Sequence, residues 1–265
     1  MNKNNSLAVF ILSVIVVIET VALLILGFPK PPHKVSPPAP PVAPVHKAGK
    51  IAIILDDWGY SLNNVEPLQN IHVPLTLAIL PNLAHSKEIA QHGVRLGDEV
   101  ILHLPSEPHE KIRLEKRTVL TSMNSATIRE IVRSDLNSLQ FAKGASNHMG
   151  SKVTEDPSAM AAILTELKNQ KLYFLDSFVT SKSVGYTMAR SMGLPVLKRD
   201  VFLDNEEDPE YIRGQLNKLK NKARMYGQAV GIGHDRYITV QVLENEIPQM
   251  QKEGFEFVPA SDLAR

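Results

Sequence analysis

Beyond residue 50, apolar and polar positions fall into two alternating textures. Short apolar or β-branched runs occur at 51–55, 75–79, 100–102, 146–149, 172–175, 196–202, 229–232 and 255–258, and runs of that length bounded by turn residues predict strands. Most of the intervals carry helical spacing, over 86–96, 127–142, 157–169, 183–192, 209–226 and 239–252. Thr127 with Glu130 three residues on reads as a capping box, and Asp156 and Asp208 each precede a proline suited to a first helical turn. Strands alternating with helices over this length imply a parallel sheet or a closed barrel. About eight strands favour an irregular (β/α) barrel, and no period of 20–50 residues marks a solenoid.

The N-terminal segment has neither texture. Leu7 to Phe28 is apolar apart from Ser13, Glu19, Thr20 and Gly27, and as a helix it would extend about 33 Å, enough to span a bilayer. Two readings compete: a transmembrane anchor, or a cleaved signal peptide, for which the shorter run Leu7 to Ile18 is the right size. The lack of a prompt A-x-A-like cleavage site favours the anchor. Prolines at 29, 31, 32, 37, 38, 40, 41 and 44 follow, predicting an extended stalk of roughly 60 Å. The expected organisation is therefore an anchor or signal segment over 1–28, a Pro-rich linker over 29–49 and one catalytic domain over 50–265.

Composition narrows the partners. A net charge of +1 from 29 basic and 28 acidic residues is no polyelectrolyte signature, so nucleic acid is not an expected partner. The chain has no cysteine, which removes disulfides, thiolate metal ligands and thiol nucleophiles and fits an oxidising compartment.

The candidate chemistry sits where strands end. In a β/α fold the C-terminal ends of the strands converge on one face, so residues distant in sequence meet in one pocket. Asp56 and Asp57 directly follow the run at 51–55; adjacent carboxylates repel unless a cation or proton lies between them. One could hold a metal while the other accepts a proton; the plainer reading is that one caps the following turn. His103 ends another strand, with Glu107 four residues on but separated from it by Pro105. Imidazole and carboxylate suit a divalent ion, although a structural histidine is an equally good account of His103 alone. His148 lies among small and polar residues beside Gly150. Asp176 could orient a ligand or base, or cap the turn at 177–180. His234 follows a glycine-spaced strand, a place suited to an acid that protonates a leaving group.

Taken in order, residues 51–59, HLPSEP at 103–108, NHMGS at 147–151, FLDS at 174–177, RDVFLDN at 199–205 and GIGH at 231–234 resemble the divergent polysaccharide deacetylase family, related to the NodB-type carbohydrate esterases. The resemblance covers nearly all of the chain after the stalk. It implies an irregular β/α barrel and a bacterial cell-envelope protein, periplasmic or otherwise extracytoplasmic, that uses a divalent metal, zinc foremost, to remove acetyl groups from a polysaccharide or peptidoglycan. By the same resemblance Asp56 is the general base, Asp57 and His103 are metal ligands and His234 is the general acid. The NodB pattern has a second histidine where this chain has Glu107, so His148 or Glu107 supplies the third ligand. The arginine-proline motif of NodB enzymes has no counterpart, which keeps a second reading open: a noncatalytic envelope module that binds glycan or protein in a retained cleft.

Overall fold

A computed structural model describes residues 3–26 and 48–265. These fall in two compact units. In the first, helix α1 (Lys3–Leu26) covers most of the apolar N-terminal stretch. Among the described residues no helix is long and apolar enough to cross a membrane. The predicted stalk lies outside the described residues except at its last two positions.

The second unit alternates strand and helix: β1 (Gly49–Trp58), α2 (Val65–Leu68), β2 (Thr76–Ile79), α3 (Ser86–Leu96), β3 (Glu99–Ser106), α4 (Ser125–Ser138), β4 (Gly144–Met149), α5 (Pro157–Asn169), β5 (Tyr173–Asp176), α6 (Gly185–Ser191), β6 (Val196–Lys198), β7 (Val201–Phe202), α7 (Pro209–Tyr226), β8 (Gln228–His234), α8 (Tyr237–Lys252) and β9 (Phe255–Phe257), then a 3-10 turn at Ala260–Asp262. The strands form one parallel sheet in the order β6-β5-β4-β3-β2-β1-β8-β7, with β9 added to the start of β1. Asp156 and Asp208 cap their helices through the Ala159 and Tyr211 amides, as their sequence context predicts. Helix α4 differs: Asn124, not Thr127, is its cap and accepts from the Thr127 amide.

The run predicted as one strand at 196–202 is two strands. Strand β6 pairs with β5 and β7 pairs with β8, so Arg199 and Asp200 carry the chain from one edge of the sheet to the other. The Arg199 amide bonds Asp176 O and the Asp200 amide bonds Val230 O, each continuing one edge. The sheet is therefore a curled, incompletely closed barrel.

Alternation along the strands sorts side chains into two cores. Ile51, Ile53 and Leu55 of β1 pack with the surrounding helices. Ala52 and Ile54 join Ile101, Leu175, Val230 and Ile232 in a second core within the curl, which Val258, Ala260 and Leu263 help to fill. With side chains alternating across a strand, the inward set continues at its C-terminal end as Asp56 on β1, His103 on β3, Ser146 and His148 on β4, and His234 on β8.

Candidate active site

That parity accounts for Asp56 but not for Asp57, which in a regular strand would point to the helices. The register between β1 and β2 slips here: Leu55 pairs Leu77 but Trp58 pairs Ile79, so three steps on β1 match two on β2. Asp57 takes a left-handed backbone conformation, φ 68°. An inserted residue of this kind is a β-bulge, a device that re-aims a side chain at a strand end. The bulge brings both carboxylates to the same pocket, a cavity of about 280 Å³ lined by Asp56, Asp57, His103, His148, Phe202 and His234 among others.

Asp57 Oδ1 lies 3.1 Å from His103 Nε2 and 2.8 Å from His148 Nδ1. The two rings meet edge to face, their centroids 5.0 Å apart. On its far side His103 Nδ1 lies 2.7 Å from the Ser146 hydroxyl. Asp56 is fully enclosed, with Oδ2 3.6 Å from His103 Nε2 and Oδ1 without a hydrogen-bond partner. Burial pushes the Asp56 carboxyl up to about 6, against the pull of His103 and with the push of Asp57. Burial acts on Asp57 in the same sense, but hydrogen bonds from His103 and His148 outweigh it and hold that carboxyl well below the ordinary range. The two neighbouring carboxylates are thus driven apart, Asp57 held ionised and Asp56 made more basic.

His234 faces Asp56 across the β1–β8 ladder. Its Nδ1 lies 2.7 Å from Asp204 Oδ1, and its backbone amide donates to Asp204 Oδ2 at 2.8 Å. Thr239 also donates to Oδ2, and the Asp204 backbone carbonyl accepts from Arg236. Burial alone would lower the His234 pKa, but the Asp204 hydrogen bond and charge raise it above the ordinary histidine value. Phe202 stacks on the imidazole at 6.0 Å, and the Arg199 guanidinium covers Phe202 from 3.6 Å.

Glu107 and Asp176 stand elsewhere. Glu107 Oε2 accepts from the Thr121 amide and hydroxyl, and Oε1 accepts from Lys152 at 2.7 Å; the carboxylate ties together the loop after β3. Asp176, fully buried, accepts from the Phe178 and Tyr186 amides and the Ser183 hydroxyl, fixing the turn into α6. Sequence reasoning passed over Asp204, although it follows the apolar Val201-Phe202-Leu203 and so shows the same strand-end signal. Ser146 and Glu115 carry no such signal. Ser146 is one more small residue in a strand, and Glu115 lies in a charged loop.

A family model described as divergent polysaccharide deacetylase matches residues 53–264. The chain belongs to the divergent polysaccharide deacetylase family. It is 38% identical over 200 residues to the uncharacterised protein YibQ of Escherichia coli K12, covering 76% of this chain and 63% of that protein. An uncharacterised protein of Haemophilus influenzae is 31% identical over 195 residues, 74% of this chain and 70% of that one. The chain thus spans less than two thirds of the length of the E. coli relative. Among solved structures, uncharacterised ATU2773 of Agrobacterium tumefaciens C58 superposes with a TM-score of 0.76 at 22% identity, over 82% of this chain and 90% of that one. The Bc1960 peptidoglycan N-acetylglucosamine deacetylase superposes with a TM-score of 0.53 at 17% identity, over 82% and 87%. At those identities the two structures show only that they share this chain's fold.

The pocket has a donor set that fits a divalent ion. Ligand atoms of Asp57, His103 and His148 all lie within 4.8 Å of one another. Two imidazoles and one carboxylate are the protein ligands of open, three-ligand zinc sites. Both rings point a nitrogen at the same ionised oxygen, His103 through Nε2 and His148 through Nδ1. These residues fit such an ion.

Proposed function

We propose that this chain is a metal-dependent hydrolase that removes acetyl groups from a bacterial cell-envelope polysaccharide or peptidoglycan. The observation that carries the reading is the convergence of Asp57, His103 and His148 on one point beside a second, chemically distinct carboxylate, Asp56. Family membership supports the substrate class, and the donor set suits zinc.

Asp57, His103 and His148 would hold a divalent ion, which would supply Lewis acidity toward water and the acetyl carbonyl. Asp56 takes the proton of the attacking water; of the two neighbouring carboxyls it is the one left more basic than usual, since no histidine hydrogen bond offsets its burial. His234, held by Asp204, delivers a proton to the departing amine or alcohol. The bulge at Asp57 fixes the spacing between the two acidic residues.

The envelope setting follows from the substrate class. Attachment to a membrane is part of the proposal on the strength of the apolar sequence 7–28 alone, and recovery of the full-length protein in the alkali-washed membrane fraction checks it.

The deciding experiment assays acetate release by the full-length protein from acetylated chito-oligosaccharides and from peptidoglycan, with and without zinc. Release is expected, with loss on chelation and return on adding metal. Release that survives exhaustive chelation, or that is unchanged in Asp57→Asn, would sink the proposal. Glycan binding without acetate release by the zinc-loaded protein would establish the noncatalytic reading instead.

A further inference from the structure

His103 and His148 approach Asp57 Oδ1 in mirrored ways. His103 presents Nε2 to Asp57 and backs its Nδ1 on the Ser146 hydroxyl. His148 presents Nδ1 to Asp57, and its Nε2 points away into protein, buried and without a hydrogen-bond partner. A buried imidazole nitrogen left unpaired is costly, and a metal-ligating histidine nearly always hands its second nitrogen to a carboxylate, carbonyl or water. The carboxylate at that nitrogen is Glu115, with Oε2 3.6 Å from His148 Nε2.

Glu115 is not a loose surface side chain. Its Oε1 accepts the Tyr60 hydroxyl at 2.7 Å, which links the loop after β1 to the loop after β3. Its backbone carbonyl accepts from the Thr118 hydroxyl at 2.7 Å. Arg117, at φ 66°, reaches the buried Asp135 of α4 at 3.5 Å. Val119 then rejoins the barrel, its amide bonding Pro105 O and its carbonyl accepting from the Glu107 amide. The loop after β3 is therefore pinned on both sides of Glu115, and Glu107 serves as one of the pins.

We propose that Glu115 is a positioning residue for His148: with a metal beside Asp57, its carboxylate accepts the Nε2–H hydrogen bond and favours the tautomer whose Nδ1 lone pair faces that metal. Tyr60 holds the carboxylate in place. The inference rests on the metal site of the proposed function, and it assigns this chain's departure from the HxxxH pattern a compensating partner in a different loop.

The test reads the His148 ring directly. In the zinc-loaded full-length protein with ¹⁵N-labelled histidine, wild type is expected to show a His148 Nε2–H proton that is shifted downfield and slow to exchange, the mark of a hydrogen bond to the Glu115 carboxylate; without metal, Nδ1 itself donates to Asp57. Glu115→Ala is expected to lose that shift and protection, and Glu115→Gln, which keeps an acceptor, to restore most of both. Zinc affinity, measured by competition with a chromophoric chelator, should fall about 10–100-fold in Glu115→Ala and less in Glu115→Gln. Tyr60→Phe, which leaves the loop sequence intact, should give a smaller loss and guards against misfolding of the alanine variant. An unchanged His148 Nε2–H signal in a folded Glu115→Ala, or zinc affinity within twofold of wild type in both Glu115→Ala and Tyr60→Phe, would overturn the assignment. Failure of wild type to bind zinc would instead strike the metal site itself, before any variant is compared.

Discussion

Asp204 grips His234 at two points, with Oδ1 2.7 Å from the ring Nδ1 and Oδ2 accepting the backbone amide at 2.8 Å. The second contact fixes where the strand ends; the first fixes the ring and favours its protonated form. Because Asp204 raises the His234 pKa, removing the carboxylate lowers it. A group that acts as an acid loses activity as pH rises through its pKa, so Asp204→Asn is expected to move the alkaline limb of the acetate-release profile toward lower pH. The rate at neutral pH should fall by about 10²-fold or more, the share a general acid supplies. An unmoved alkaline limb would argue against His234 as the acid.

Adjacent carboxylates with opposite environments should fail in different ways. Asp57→Asn keeps a side chain that tolerates the left-handed backbone but loses the ionised oxygen shared by both histidines. It should lose zinc and turnover together. Asp56→Asn should retain zinc and lose turnover, since Asp56 stands behind the ligand set. Metal content after dialysis, measured beside acetate release, separates the two. Equal zinc loss in both variants would show that Asp56 is a ligand and not the base.

Why the sequence disclosed His103, His148 and His234 but not Asp57's true position follows from what periodicity encodes. Alternation along a strand is a local property, so apolar runs ending in a polar residue could be read directly, and four of the site residues share inward parity. The bulge that turns Asp57 inward is invisible to that reading, because it depends on how β1 registers against β2. The split of 196–202 into two strands is equally nonlocal, since only the curl of the sheet places β5 and β8 on opposite sides of Arg199 and Asp200. Between His148 and Glu107 as third ligand the sequence alone could not choose, because the choice depends on where the loop after β3 folds: Pro105 keeps the chain extended through Ser106, and Glu107 bonds Lys152 and Thr121 instead.

Stability should carry a pH signature away from the site. Asp98 precedes β3 and accepts the Leu75 amide at 3.0 Å, yet burial pushes its carboxyl up to about 6. A carboxyl whose folded pKa lies above its unfolded value favours folding when protonated. That contribution is complete below about pH 4 and is lost as pH rises through about 6. Asp98→Asn, which keeps an acceptor for Leu75, should therefore exceed wild type by about 1–2 kcal/mol at pH 8 and match it at pH 4. Urea unfolding at both values checks this; a pH-independent difference would assign the effect to something other than titration.

Gly150 is where the metal-ligand strand meets the loop after β3. It adopts φ 83°, and a Cβ there would stand 2.7 Å from Ser106 Cβ. Met149 beside it is also left-handed, φ 52°, so the backbone leaving His148 turns sharply, and Thr154 closes the turn by donating its amide and hydroxyl to Gly150 O. Gly150→Ala should cost about 2–4 kcal/mol, part from backbone strain and part from the clash. Adding Ser106→Gly should recover the clash portion but not the strain, so the double variant falls between wild type and Gly150→Ala in urea unfolding. If Gly150→Ala lowers zinc affinity and the double variant restores it while remaining less stable, then close packing against Ser106 is what sets His148. Equal affinity in all three would mean the turn serves stability alone.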